Sequence, residues 1–322
     1  MTALAAKAEA LWKSQIETWP MLADGLDALL ACEYRTVLIG GLRMELQWNP
    51  GRIISVTAKV DPQSIAARPC FLCPHNLPPE QEGIAFQNDW QVLCNPRPIL
   101  VPHFTLPLRE HLPQDLDFAL ETMLAFAENL GETFVVFYNG PQCGASAPDH
   151  MHLQAVPAAQ TPLLQQLNLP GLNPTEGVID WIQGSNAEPH RGFARAPFLP
   201  LALWLGTSLT HLSAELRHAL AYLRQIHPPG NGNEPLVNAF AWAVGDACLF
   251  GIFPRAKHRP ACYGTGQAQV LLSPGTLDLL GRIVTPRQID YQGLRDSEVE
   301  AILQEVCLPR SLFQTWQQAI LA

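Results

Sequence analysis

The residues best suited to chemistry lie together between Asn139 and Gln154, where a glycine-rich turn containing Gly140, Gly144 and Ser146 runs into His150, His152 and Gln154. Such a turn lets backbone N–H groups approach an anion closely, and Ser146 adds a hydroxyl donor. His150, His152 and Gln154 alternate with Met151 and Leu153. An extended chain therefore puts the three polar side chains on one face, roughly 6–7 Å apart. A neutral imidazole is nucleophilic near pH 7, and phosphorus is a natural target for it. Attack on the α-phosphorus of a nucleotide leaves a nucleotidyl-histidine and expels a phosphate-type group that needs little protonation. Positioning and charge stabilisation then carry the catalysis, with Gln154 holding a non-bridging oxygen. The rival reading, two histidines on a half-buried strand, is weakened by the preceding loop and the trailing glutamine.

A second constellation is Cys70-Phe71-Leu72-Cys73. Two thiolates at this spacing clasp one tetrahedral zinc. None of the other cysteines, Cys32, Cys94, Cys143, Cys248, Cys262 and Cys307, forms a second pair with metal spacing, so the missing ligands are expected to be histidines. A thioredoxin-like redox pair fits less well, because Pro69 and Pro74 flank the motif and Cys70 does not open a helix after a strand. Two buried, unliganded thiols are the third reading. A third cluster is Arg255, Lys257 and Arg259, which alternate and in an extended segment project to one side, as suits a polyphosphate or sugar phosphate. A solvated strand end is the alternative there. Asn95 and Asn139 stand at expected strand ends, where turn asparagines are also common.

Gly144-x-Ser146-x-Pro148-x-His150-x-His152-x-Gln154 resembles the active-site signature of the histidine-triad transferase superfamily, which includes galactose-1-phosphate uridylyltransferases, diadenosine tetraphosphate phosphorylases and GDP-hexose phosphorylases. The resemblance implies that His152 is the nucleophile, with Gln154 and Ser146 in the site and Asn95 and Asn139 facing the nucleotide. The spacing departs from the uridylyltransferases, which have one residue fewer between the serine and the first histidine. The zinc-bearing members carry a similar Cys-Phe-Leu-Cys. By this likeness a structural zinc is held by Cys70, Cys73, His111 and His150, with His103 the rival for the third position, and no organic cofactor is implied. Small histidine-triad hydrolases have a third histidine where Gln154 stands. Glutamine is neither acid nor base, which favours transfer over hydrolysis. Phe253-Pro-Arg255-x-x-His258-Arg259-Pro260, Ser273-Pro-Gly275 and Thr285-Pro-Arg287 extend a likeness to bacterial relatives of these phosphorylases over nearly the whole chain. The implied activity is nucleotidyl transfer from a nucleoside diphosphate derivative to phosphate or a sugar phosphate; Tyr138-Asn139-Gly140 looks closer to the phosphorylases, with uridylyltransferase-like exchange through the same intermediate as the alternative. A non-catalytic zinc-stabilised nucleotide-binding protein is the rival from another class.

The elements that must position these groups follow from pattern. The chain has 322 residues, 48% hydrophobic and only 15% charged, with net charge −9. That composition supports a substantial core and argues against a nucleic-acid surface. The absence of a long apolar run or a signal-like start, and the unpaired cysteines, suit a cytoplasmic protein. Two helices are expected over 3–31 with a break at Pro20, and a hairpin over 36–48 turning at Gly40-Gly41. An extended segment is expected over 53–60, strands over 90–94, 104–108, 134–138 and 152–156, and a helix over 114–130 stopped by Gly131. Residues 158–200 read as a long connection. A helix over 208–226 follows, ending before Pro228-Pro229-Gly230, then a hairpin around Gly245-Asp246, a strand at 270–272 and closing helices from 297. The expected class is α+β, with mainly antiparallel sheets and packed helices in two similar halves, 1–160 and 161–322. The family likeness implies two histidine-triad-like halves, only the first carrying His-x-His-x-Gln, and a homodimer is one expected assembly.

Overall fold

The computed structural model describes residues 1–58, 60–87, 89–171, 177–184, 188–228 and 234–322. The strands are β1 (Glu33–Ile39), β2 (Leu42–Trp48), β3 (Gly83–Phe86), β4 (Trp90–Cys94), β5 (Phe104–Pro107), β6 (Phe134–Asn139), β7 (His152–Pro157), β8 (Ile179–Ile182), β9 (His190–Ala194), β10 (Ala202–Gly206), β11 (Val237–Val244), β12 (Ala247–Pro254) and β13 (Arg282–Thr285). Ten of them make one antiparallel sheet in the order β3-β4-β5-β7-β6-β11-β12-β10-β9-β8. Read inward from either edge, the chain order is the same: three successive strands, then a hairpin entered from its far side. A helix precedes the hairpin in each half, Leu116–Leu130 before β6 and Leu209–Ile226 before β11. The architecture is α+β, and the two halves join edge to edge where β6 pairs with β11, Asn139 opposite Asn238 and Phe137 opposite Phe240.

Both helices form for local reasons. Asp115 caps the first, its carboxylate accepting from the N–H groups of Asp117 and Phe118, and Gly131 ends it at a positive φ of 66°. Ser208 caps the second through the N–H of His211. Their apolar stripes, Leu120, Met123 and Ala127 in one and Leu216, Leu220 and Leu223 in the other, pack on one face of the sheet with the N-terminal helix Ala3–Thr18 and the C-terminal helix Arg310–Leu321. Alternation along β6 sends Phe134, Val136 and Tyr138 to that face and Val135 and Phe137 to the other. The other face is covered by the small sheet β1-β2-β13 and the helix Asp296–Val306. Along β7, Leu153 and Ala155 face the helices, so His152 and Gln154 face the small-sheet side.

Several expectations are corrected. Residues 53–56 are a helical turn after the 3-10 turn Pro50–Arg52, not a strand, despite their β-branched side chains. Both sides of β2 are already taken, by β1 and by the unforeseen parallel strand β13, so no edge remains for them there. The supposed connection 158–200 holds β8 and β9, short strands at the far edge whose polar, glycine-rich surroundings mask them. Residues 172–176 and 185–187 of that stretch, and the expected stop at Pro229-Gly230, lie outside the described residues. The strand expected at 270–272 is a single bridge between Val270 and Tyr263. No described helix is long and apolar enough to cross a membrane.

Behind the β6–β11 seam, Glu234 is buried. Its Oε1 accepts from the Tyr138 hydroxyl at 2.6 Å and its Oε2 from Leu116 N–H at 2.8 Å. Burial, with the Asp115 carboxylate adding to it and Arg224 opposing, pushes its carboxyl up to about 7 from an ordinary 4.5. The folded state therefore holds this proton more tightly than the unfolded chain. The associated stability is complete below pH 4.5 and is lost as pH rises to about 7, on the order of 3 kcal/mol at most. Glu234→Gln is expected to be more stable than wild type at pH 8 and to lose that advantage by pH 5; thermal unfolding across the range checks it, and a pH-independent difference contradicts it.

Candidate active site and metal cluster

His152 opens β7 and its orientation is fixed by three neighbours. Its Nδ1 lies 2.8 Å from the carbonyl of His150. A carbonyl can only accept, so Nδ1 carries the proton and Nε2 keeps its lone pair. Its backbone N–H donates to Gln114 Oε1 at 2.9 Å, while Gln114 Nε2 donates to the carbonyls of Asn139 and His152, each at 3.1 Å. Gln114 thus ties the end of β6 to the start of β7, a role that the sequence reading missed because Gln114 looked like the first residue of a helix. Burial pushes the His152 imidazole down to about 4.

Gln154 is held by His103. Ile99 N–H donates to His103 Nδ1 at 3.2 Å, so the proton sits on Nε2, which donates to Gln154 Oε1 at 3.0 Å. With its oxygen engaged, Gln154 has only its NH2 to offer the cavity. Burial first, then the Arg52 charge, pushes His103 down to about 3 and keeps it neutral. His103 therefore belongs to this pair and not to the metal cluster.

His150 does not share the strand face of His152 and Gln154; it precedes β7 and turns towards the cysteines. Its Nε2 donates to the Leu108 carbonyl at 2.7 Å, leaving Nδ1 bare, 3.3 Å from Cys70 Sγ and 3.6 Å from Cys73 Sγ. His111 Nδ1 lies 3.2 Å from both Cys73 Sγ and His150 Nδ1, and its Nε2 faces Asp149 at 3.7 Å. The four donor atoms fall within 4.8 Å of one another. Bond lengths of about 2.0–2.1 Å to nitrogen and 2.3 Å to sulfur imply tetrahedral edges of about 3.3–3.8 Å, close to the separations of 3.2, 3.3 and 3.6 Å given above. The cluster is able to hold a metal ion with two thiolates and two Nδ1 atoms, and the carbonyl of Leu108 and the carboxylate of Asp149 orient its histidines.

Beside His152 and Gln154 lies a cavity of about 720 Å³, also lined by Asn95, Asn139, Gly144 and Ser146. Gly144 has φ 96°, and a Cβ there would come 2.8 Å from Gly275 Cα, so glycine is required for the loop to touch the second half. Asn139 Oδ1 accepts from Thr276 N–H at 2.8 Å and from Asn238 Nδ2 at 3.0 Å. It anchors the seam as well as lining the cavity. Asn95 Nδ2 donates to Thr105 Oγ1 at 3.2 Å.

The expected basic stripe is not a stripe. Arg255 is fully buried, and its five N–H donors go to the carbonyls of Val306, Pro274, Lys257 and His258 and to Asn238 Oδ1. It ties segments of the second half to one another, Asn238 among them, and has no donor left for a phosphate. Lys257 is exposed, paired with Glu305 at 2.9 Å, and lies off the cavity. Only Arg259 lines the cavity, stacked 4.1 Å over Tyr263. The segment leaves β12 at Pro254 and turns, so the period-two rule no longer applies. The other lining arginines are Arg52, Arg68 and Arg97, which come from turns scattered through the first half. Their distance in sequence hid them from a search for clusters.

A family model described as a domain of unknown function, DUF4922, matches residues 11–157, the part that holds the Cys-x-x-Cys and His-x-His-x-Gln motifs. No curated protein matches the sequence. The α+β fold of two similar halves is shared with solved structures. One protein whose structure is similar to that of this chain is yeast Ap4A phosphorylase Apa2. Its crystal structure in complex with AMP superposes with a TM-score of 0.56 at 16% identity, covering 93% of this chain and 97% of that one. A second Apa2 structure gives 0.53 at 16%, covering 90% and 94%. A uridylyltransferase mutant gives 0.35 at 13% identity, covering 81% and 94%, and carries no weight.

The His103–Gln154 geometry makes a direct prediction. In ¹⁵N NMR of the labelled full chain, His103 is expected to stay neutral with its proton on Nε2 from pH 8 to about 5, well above its pKa of about 3. A proton on Nδ1, or titration near the ordinary 6.5, would mean that the Gln154 amide is not fixed as described.

Proposed function

We propose that the protein is a nucleotidyltransferase of phosphorylase type. It transfers a nucleoside monophosphate from a nucleoside diphosphate derivative, a sugar nucleotide or a dinucleoside polyphosphate, to phosphate or a sugar phosphate. The observation that carries this reading is His152, with Nδ1 occupied by a carbonyl, Nε2 unprotonated, and a donor-only Gln154 beside it in an arginine-lined cavity. In the first step the Nε2 lone pair forms a bond to the α-phosphorus while the bond to the bridging oxygen breaks and the leaving phosphate group departs with that electron pair. In the second, an acceptor phosphate oxygen bonds to the same phosphorus and the P–Nε2 bond breaks, restoring neutral His152. The Gln154 NH2 and the N–H groups and Ser146 hydroxyl of the Gly144–Ser146 loop stabilise the oxyanions of both steps, and Asn95 and Asn139 bound the nucleotide. The fold neighbour is an Ap4A phosphorylase crystallised with AMP, which supports a nucleotide ligand. Uridylyltransferase-like exchange between sugar phosphates shares the intermediate and differs only in the acceptor.

The donor set of Cys70, Cys73, His111 and His150 suits a zinc ion bound through four protein ligands with no position left for substrate. Bound there, zinc supplies cross-linking: it fastens the end of the loop to the Cys-x-x-Cys turn, next to the strand that presents His152.

Intact-mass spectrometry after incubation with ATP, ADP, UDP-glucose, GDP-glucose, GDP-mannose or diadenosine tetraphosphate tests the transfer. Wild type is expected to gain one nucleoside monophosphate with at least one donor, and His152→Ala none. Measurable nucleotide binding without any adduct favours the nucleotide-sensor reading instead. Elemental analysis is expected to find one zinc per chain in the wild type, and Cys73→Ser or His111→Ala to lose it with a lowered melting temperature. Zinc retained at full stoichiometry in both variants would place the metal elsewhere.

A further inference from the structure

The cavity carries positive charge that the steps above leave unused. Of its four arginines, Arg68 is engaged with Asp149 at 3.3 Å and with the Ser146 carbonyl at 3.1 Å. Arg259 is engaged with Ser273, with the carbonyls of Val56 and Ala58 and with the Tyr263 ring. Arg52 and Arg97 are different. Arg52 ends the turn after β2, Arg97 lies in the loop after β4, and Arg52 Nη1 donates to the Arg97 carbonyl at 2.8 Å. Among the described residues, Arg52 Nε and Nη2 and the whole Arg97 guanidinium have no hydrogen-bond partner, and neither residue is in an ion pair. Among the described residues the one carboxylate lining the cavity, Asp278, accepts instead from Gly275 N–H at 2.8 Å and Val284 N–H at 2.9 Å.

Two like charges kept together in a partly desolvated wall cost free energy that an anion between them recovers. Burial, together with the Arg97 charge, pushes Arg52 down to about 10 against the opposing pull of Asp278. The Arg52 charge in turn reaches His103, the ring that holds Gln154. The pair lines the same cavity as the Gln154 amide, whereas Arg68 is bonded to the glycine-rich loop. A guanidinium with a free Nε–Nη2 edge matches two oxygens of one phosphate. We infer that Arg52 and Arg97 form an oxyanion subsite, distinct from the loop, that takes a phosphate group, the acceptor in the transfer reaction. Its role as acceptor site rests on the proposed transfer; its capacity to bind phosphate does not.

Calorimetric titration of the full chain with inorganic phosphate at fixed ionic strength tests the subsite. Wild type is expected to bind phosphate, and Arg97→Gln and Arg52→Gln each to raise the Kd about tenfold or more. Arg97 is exposed, so its variant is expected to fold; Arg52→Lys keeps the charge without the fork and is expected to bind with intermediate affinity. Lys257→Gln removes a cation outside the cavity and is expected to change nothing. Absence of binding by wild type, an unchanged Kd in Arg97→Gln and Arg52→Lys, or equal weakening in Lys257→Gln overturns the inference. Phosphate bound through these arginines by a protein that never forms a His152 adduct would refute the transfer and keep the subsite. An adduct with arginine-independent phosphate binding would do the reverse.

Discussion

Asn139 and Asn238 face each other across the seam between the two halves of the large sheet, and the shape of the cavity depends on that register. Asn238 accepts from the buried Arg255, whose remaining donors fix Pro274 and the backbone at 257–258, and Thr276 in turn donates to Asn139. Gly275 is thereby set against Gly144, backbone on backbone. A slip of one residue in β6–β11 would turn Asn139 away and send Phe137 to the wrong face. The seam is therefore a constraint on the site as well as on the core.

The chemistry within the cavity is governed by which nitrogen holds which proton. His152, His103 and His150 each have one ring nitrogen committed to a backbone group, the carbonyls of His150 and Leu108 or the N–H of Ile99. Backbone groups have fixed polarity, so three tautomers are set by the fold without a charged partner. Burial then keeps His103 and His152 neutral. A ring nitrogen with a free lone pair at the cavity, an amide with only donors to offer and a bare nitrogen facing the two cysteines all arise from this one device, and none requires a carboxylate relay.

Local signals in the sequence read well. The Cys-x-x-Cys turn, the hairpins at Gly40-Gly41 and Gly245-Asp246, the Gly131 helix stop and the His152–Gln154 alternation all act over a few residues, and the chain obeys them. What stayed hidden depends on partners distant in sequence. β13 is a strand only because β2 offers an edge more than two hundred residues earlier. Ile53–Val56 has strand-like residues, but both sides of the preceding strand β2 are taken. Arg255 looks like a phosphate ligand until its carbonyl partners are known, and Arg52 and Arg97 look like ordinary turn arginines until the fold brings them to one wall. Likeness to a family helped with His111, which nothing in its own neighbourhood distinguishes from His103.

The two halves repeat the same order of strands and helix, yet they connect their inner hairpins differently. β6 and β7 are joined through the long Gly140–Met151 loop, β11 and β12 by Gly245-Asp246 alone. The repeat has therefore divided its labour. One half carries His152 and Gln154, while the other provides a wall of the same cavity. Changes along that wall, around His258, Arg259 and Ser273, can alter what the cavity admits while leaving His152 and its proton as they are. The shape of the cavity can thus change in one half without any change in the hydrogen bonds that set His152 in the other.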